Sequence, residues 1–288
     1  MNRQKILVAT DLSQKSDLAV EKAIDLSVKY DKWLEIIHAV DYPMFEICFG
    51  DMCKIRDEKR KAQRKESIEH INSKIFEKLQ RKSKKMNVEV VVGSASKVIV
   101  EEAEKKEATI IVIGNLGERH GIEELVLGST AKKVILNSKV PVLIVKNGGE
   151  YKNIAVFTDF SEGSKKNIDY IISLFPDSTI TLVNIIEIPS KFRLSFYGLD
   201  NFEIDDVKQN TIQMANSNMQ SLIEEFKDKT NIKALVKEGH FGVDEILAVC
   251  KELNSDLVSF DTDGSCLSRA FDIMSEVTSD VIVFYTNN

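Results

Sequence analysis

The chain has 288 residues, 43% of them hydrophobic and 29% charged, a balance that excludes a disordered or fibrous polymer and leaves room for two ordinary domains. A net charge of −6 argues against general nucleic-acid binding, and no apolar run approaches the roughly 20 residues of a membrane helix. Four scattered cysteines, and an N-terminus that enters a strand with no signal-like apolar segment before it, point to a cytoplasmic protein.

The first strand is read over Lys5 to Thr10, ending at Asp11. Ser13 is placed to cap a helix whose apolar positions include Leu18, Ala19, Ala23 and Leu26. A second strand spans Trp33 to Val40 and stops at Asp41-Tyr42-Pro43. A long charged helix is expected from about Lys59 to Lys82, then a third strand from Val88 to Val92, halted by Gly93. A helix over Ile99 to Lys106 leads to a fourth strand, Ile110 to Ile113. Near-continuous apolar strands alternating with helices imply an α/β fold with a parallel sheet covered on both faces.

The chain then starts again. Lys152 to Ser161 repeats Lys5 to Ser13, with Asp11/Asp159, Ser13/Ser161 and Ser16/Ser164 each 148 positions apart. Gly239 matches Gly93 at an offset of 146, and Asp256-Leu257-Val258 matches the fourth strand at 147. Val281 to Phe284 matches Val142 to Val145 at 139. The pattern is an internal duplication, with domains at 1–148 and 149–288 joined at Asn147-Gly148-Gly149.

Phosphate-binding chemistry is suggested between Ala108 and Lys146. The fourth strand ends at Gly114, a polar loop carries Gly117 and Gly121, and Gly128-Ser129-Thr130 opens a helix with Ala131, Val134 and Ile135 on one face. Glycines let a backbone approach an anion, and the first-turn N–H groups and helix dipole face it. Each residue also has a plainer reading: Gly114 ends a strand, and Gly128-Ser129 is a helix start. The second half differs here. Asp261 replaces Gly114, Leu267-Ser268 replaces Gly128-Ser129, and only two residues separate Gly264 from Leu267 where ten separate Gly117 from Gly128. An aspartate repels a polyphosphate, and leucine denies the close approach.

Taken together, Gly114-x2-Gly117-x10-Gly128-Ser129 resembles the nucleotide-binding signature of the universal stress protein family, with one extra residue in the Glu118–Gly121 tip. The resemblance covers both halves. It implies two tandem open sheets, each parallel, five-stranded and ordered 3-2-1-4-5 (an adenine nucleotide alpha hydrolase-like arrangement), with ATP held between strands one and four and Mg²⁺ as its expected counter-ion. It further implies that Thr10 and Asp11 contact adenosine, that Ala39 offers a backbone contact to the base, and that Ile113, Gly114 and Gly117 form the ribose and phosphate loop. Gly128, Ser129 and Thr130 become the triphosphate cradle. The family's usual Asp before its fourth strand is Thr109 here, a departure expected to affect packing more than ligand. Family members typically pair through the last strand, so Val142–Val145 and Val281–Phe284 are expected to make an internal pseudo-dimer, with a homodimer and an unidentified protein partner left open.

Asp11 has the alternative of capping the first helix with Ser13. The ligand reading leads for Asp11 because the glycine motif accompanies it; for Asp159 the cap reading leads. His38, His70, His120 and His240 show no metal spacing, and Cys48-x4-Cys53 is too little for a metal site. The basic stretches at 54–65 and 81–85 interleave acids and read as a solvated helix face. Phe192, Phe196, Tyr197 and Phe202 form an aromatic cluster expected to pack in the second core, with covering the degenerate pocket or meeting a partner as the alternatives. Neither a Walker lysine motif nor GxGxxG occurs, which favours binding over fast hydrolysis, and no catalytic residue is assigned. The expectation is a cytoplasmic ATP-binding regulatory protein with ATP in its first half only. The alternatives are a slow adenine-nucleotide hydrolase and a nucleotide-free interaction scaffold.

Overall fold

A computed structural model describes residues 5–40, 58–59, 61–62, 65–70, 73, 85–115, 127–188, 200–227, 230–262 and 267–285. The chain divides into two compact units, 1–148 and 149–288. At the joint Gly148 and Gly149 have φ of +69° and +79°, the left-handed region where glycine is at home.

In the first unit β1 (Lys5–Thr10), β2 (Trp33–Val40), β3 (Met86–Val92), β4 (Ala108–Gly114) and β5 (Val142–Val145) form a sheet ordered β3-β2-β1-β4-β5, with every described pairing parallel. Successive residues Ile6, Leu7 and Val8 are all fully buried, as are Ile111 and Val112, so both faces of the central strands are covered. Each such Ile or Leu contributes about 1.5–3 kcal/mol on burial, which makes these strands the main source of stability. Helix α1 (Gln14–Lys29) packs against β1 and β4, while α2 (Ala95–Lys105) packs on β4, β2 and α3 (Ser129–Asn137). Ala19, Ala23 and Leu26 lie in the core as the spacing requires, but Leu18 is 37% exposed, at the edge of the buried stripe. Of the helix expected from Lys59 to Lys82, residues 59, 61–62 and 65–70 are helical, and 60, 63–64, 71–72 and 74–82 lie outside the described residues.

The second unit repeats the plan. Here β6 (Asn153–Phe157), β7 (Thr179–Ile186), β8 (Ile232–Glu238), β9 (Leu257–Thr262) and β10 (Asp280–Tyr285) are ordered β8-β7-β6-β9-β10, again parallel. The helices are α4 (Glu162–Leu174), α5 (Asn201–Phe226), α6 (Val243–Leu253) and α7 (Leu267–Glu276). Asp200 and Glu203 close a capping box at the start of α5. Phe202 corrects the expectation of an aromatic core cluster: in the first turn of α5 it is 85% exposed, and the other three aromatics lie outside the described residues.

Thr109 and Asp256 show what the residue before the fourth strand does. The Asp256 carboxylate accepts the Lys152 and Asn153 N–H groups at 2.9 and 2.8 Å, pinning the start of β6. In the first unit the Thr109 hydroxyl donates to the Lys5 carbonyl at 3.1 Å instead.

The two cores differ in their polar anchors. In the first, Lys106 lies 2.8 Å from Glu89, 3.3 Å from Glu35 and 3.7 Å from Glu102, tying the end of α2 to β2 and β3. Burial alone would lower the Lys106 pKa, but hydrogen bonds and charge from Glu89 and Glu35 outweigh it and raise it. In the second, the buried Tyr151 hydroxyl donates to Asp280 at 2.6 Å. Burial first, and then the Asp280 charge, push that phenol well above its ordinary value. Among the described residues no helix is long and apolar enough to cross a membrane.

Candidate functional site

The sheet's C-terminal ends in the first unit gather most of the residues singled out from the sequence. β1 delivers Thr10 and then turns sharply. Leu12 sits at φ +68°, unusual for a residue with a side chain, and its N–H donates to Thr10 Oγ1 at 3.0 Å. The Ser16 hydroxyl donates to the Ser13 carbonyl at 2.9 Å. Its one proton being engaged there, Thr10 is the donor in their 2.9 Å contact. Asp11 Oδ1 accepts from the N–H of Ser13 at 3.1 Å and from its hydroxyl at 2.6 Å, and Ser13 Oγ accepts the Ser16 N–H. Asp11 itself is exposed, so the strand end presents a carboxylate to solvent from a hydrogen-bonded turn. The Thr10 hydroxyl is engaged within that turn.

An imidazole completes this corner. His38 Nδ1 lies 2.9 Å from the Thr10 carbonyl, which can only accept, so Nδ1 carries the proton. Metal spacing, which the four histidines lack, is no guide to this role of His38. Its counterpart Asn184, donating to the Thr158 carbonyl at 2.7 Å, was the signal that the position needs a donor.

At the neighbouring strand end, Gly114 closes β4, and Asn115 holds the base of the following loop. Its N–H donates to the Val145 carbonyl at 3.1 Å, and its carbonyl accepts the Gly128 N–H at 3.0 Å. That second bond brings the start of α3 to the end of β4 across residues 116–126. Gly117 falls in this stretch, outside the described residues, as do Gly121 and His120.

Gly128 is the N-cap of α3, which has no side-chain cap and no acid in its first turn; α1, by contrast, is capped by Ser13 and carries Asp17. Ser129 and Thr130 are exposed beside the uncapped N–H groups. Such a helix end carries partial positive charge, favourable to an anion by about 0.3–1 kcal/mol even at an exposed site. Gly114 has a packing reason of its own: a Cβ there would come within 3.3 Å of the Lys15 carbonyl and 3.5 Å of Ser16 Cα. Ile113 is buried, which leaves only its backbone for a ligand, and Ala39 is half-exposed. Among the described residues no group of three or more His, Cys, Asp and Glu is placed to hold a metal.

The second unit reproduces the turn. Thr158 and Ser164 are 2.9 Å apart, the Phe160 N–H donates to Thr158 Oγ1, Phe160 has φ +67°, and Asp159 Oδ1 accepts the Ser161 N–H. Burial would raise the Asp159 carboxyl, but hydrogen bonds from Ser161 and Ser164 outweigh it and hold it below its ordinary value. The turn is therefore built without reference to the glycine loop. Asp261 stands at the end of β9, in the place of Gly114.

Comparison with known proteins fits this layout. The model of the universal stress protein family matches residues 2–146. The chain belongs to that family. A universal stress protein of Methanocaldococcus jannaschii, MJ0531, is 33% identical over 144 residues, covering 50% of this chain and 82% of its own length. A universal stress protein structure from Archaeoglobus fulgidus covers 99% of this chain and 97% of its own, with a TM-score of 0.65 at 15% identity, a likeness of fold. A further family member, solved in complex with cAMP, is 26% identical and covers 49% of this chain and 96% of its own, with a TM-score of 0.34.

Proposed function

We propose that this universal stress protein binds one adenine nucleotide, ATP, at the strand ends of its first half, and that the ligand acts as a regulatory signal. The observation that carries the reading is the uncapped N-terminus of α3. The Asn115–Gly128 hydrogen bond holds it against the end of β4, one strand away from the Asp11 turn. Phosphates would lie on the Gly128–Thr130 N–H groups and hydroxyls, with Gly117 in the loop above. Asp11 would accept from the ribose or the base, and the Ala39 backbone would meet the base edge. Mg²⁺ would arrive with the phosphates. Thr10 and Ile113 shape the site, one through its turn hydroxyl and the other through its backbone.

The second half is read as non-binding, because Asp261 and Leu267 stand where Gly114 and Gly128 do. Binding followed by slow turnover fits a site without a phosphate-transferring lysine motif, and ligand occupancy would shift the population of a partner-binding surface. Pairing of the halves through Val142–Val145 and Val281–Phe284 and a cytoplasmic location belong to the same proposal. Thermal unfolding with and without ATP and Mg²⁺ tests it. A ligand at 100 times its Kd stabilises by about 2.7 kcal/mol, a readily measured shift. No shift with ATP, ADP or AMP at millimolar concentration would favour the interaction scaffold. Phosphate release well above background would favour the hydrolase.

A further inference from the structure

The duplicated turn and strands allow the two strand-end hollows to be compared residue by residue. In the first unit Ala9, near the end of β1, is partly exposed, as is Ala39. Ala9 pairs with Ile37, and residues two apart on a strand share a face, so two small, partly exposed residues, Ala9 and Ala39, lie on one face of the sheet near its strand ends. In the second unit the same positions hold Phe157, paired with Val183, and Ile185. Phe157 is only 3% exposed.

What covers Phe157 is extra chain. The Gly93 N–H donates to the Val40 carbonyl and the Gly239 N–H to the Ile186 carbonyl, both at 3.0 Å, so these glycines are equivalent. From Gly93 the chain steps directly to Ser94, the N-cap of α2; from Gly239 it passes through His240 and Phe241 before Gly242, the N-cap of α6. The two helices are of equal length, 11 residues, so His240-Phe241 is a two-residue insertion. The Phe241 ring packs edge-on against Phe157, with centroids 6.0 Å apart and planes at 78°. His240 Nδ1 lies 2.9 Å from Glu187, just past the end of β7, in an exposed contact.

We propose that the second half carries a cryptic site for a flat aromatic group and that its own Phe241 is the occupant. The inserted ring fills, over Phe157, the place that the first half leaves open over Ala9 and Ala39 for a nucleotide base. This rests on the nucleotide reading of the first half. The second half is thereby held in a permanently filled state, and only one of the two copies answers to ligand. Removing the Phe241 ring uncovers the Phe157 ring, an aromatic surface against which a base can pack. The ligand class admitted is a neutral aromatic such as a nucleoside, because Asp261 occupies the place from which Gly114 would receive phosphates.

Equilibrium dialysis of the full chain against millimolar adenosine tests this, comparing wild type with Phe241→Ala. The expected result is one equivalent for wild type and two for the variant, with Phe241→Tyr, which keeps a ring, remaining at one. Deletion of His240 and Phe241 restores the first half's direct step into the helix. It should also give two equivalents, which guards against a folding defect peculiar to the substitution. Equal stoichiometry in wild type and both opened variants, at one or at two, overturns the proposal. None for wild type but one for the opened variants would uphold the plug and reject the nucleotide reading of the first half. None throughout rejects both.

Discussion

The two halves share a strand order, a capped first helix and a strained turn, yet they differ at five of the nine positions proposed to meet the ligand, Ala39, Ile113, Gly114, Gly128 and Thr130. The first half places small residues at the strand ends (Ala9, Ala39 and Gly114) and Gly128 at the start of α3, which has no side-chain cap. The second places Phe157, Ile185, Asp261 and Leu267 there and adds Phe241. Duplication thus separates what the fold needs from what the site needs. The hydrogen-bonded turn at Thr10–Ser16 recurs as Thr158–Ser164, and so belongs to the fold. The small residues do not recur, which fits the ligand-binding role proposed for them in the first half.

That comparison can be broken most severely at Phe157. Phe157→Ala gives the second half the first half's residue, and loss of a buried ring should cost about 3–5 kcal/mol in urea unfolding. A loss below about 1 kcal/mol would mean that the ring does not fill the space assigned to it.

Gly114 separates packing from phosphate chemistry. Gly114→Ala adds a Cβ against the Lys15 carbonyl and should destabilise the first half by about 1–3 kcal/mol without adding charge. Gly114→Asp should show that loss and, in addition, lose ATP binding. If alanine is tolerated at no cost, the packing reason for the glycine is wrong and the ligand reason stands alone.

Tyr151 sharpens the contrast in alkaline solution. Its folded-state pKa is raised, so its contribution is complete below the unfolded value near pH 10 and is lost as pH rises through the folded value. Tyr151→Phe should cost about 1–3 kcal/mol at neutral pH, because Asp280 is 1% exposed and loses a donor. The penalty should shrink as pH climbs from about 10 toward the raised value, as followed in melts from pH 8 upward. A pH-independent difference would contradict the assignment.

The smallest effect is expected from a core exchange. Ser259 donates to Asn167 at 2.7 Å inside the second unit, and Asn167 Nδ2 is buried without a partner; Ala19 and Val112 hold these places in the first. Asn167→Ala with Ser259→Val should be neutral or stabilising by about 1 kcal/mol, whereas Asn167→Ala alone should destabilise. Equal and additive losses from the two single changes would show that the pair is not a unit.

Much of this architecture was legible in the residues. Continuous apolar runs such as Ile110–Ile113 marked strands buried on both faces, and repeated TDxS segments at a spacing of 148 exposed the duplication. The glycine-hydroxyl helix start at Gly128 was legible because its chemistry is local. Contacts that depend on distant partners were not. Gly114 looked like a ligand residue, and only the fold reveals the Lys15 backbone behind it. Phe202 read as core because its neighbours are aromatic, but the first turn of α5 leaves it exposed. The plug was half-written in the numbers: the offset between halves moves from 146 at Gly93/Gly239 to 148 at the following helix. That shift announces an insertion without saying what its phenylalanine touches.

The central claim is that one half responds to nucleotide and the other does not. Its most direct test is the amount of adenine nucleotide per chain, by mass spectrometry of denatured, freshly purified protein and by titration of stripped protein with ATP and Mg²⁺. The account predicts one nucleotide per chain, placed in the first half by its loss in Gly114→Asp but not in Gly114→Ala. Two per chain, or none even after titration, would contradict it.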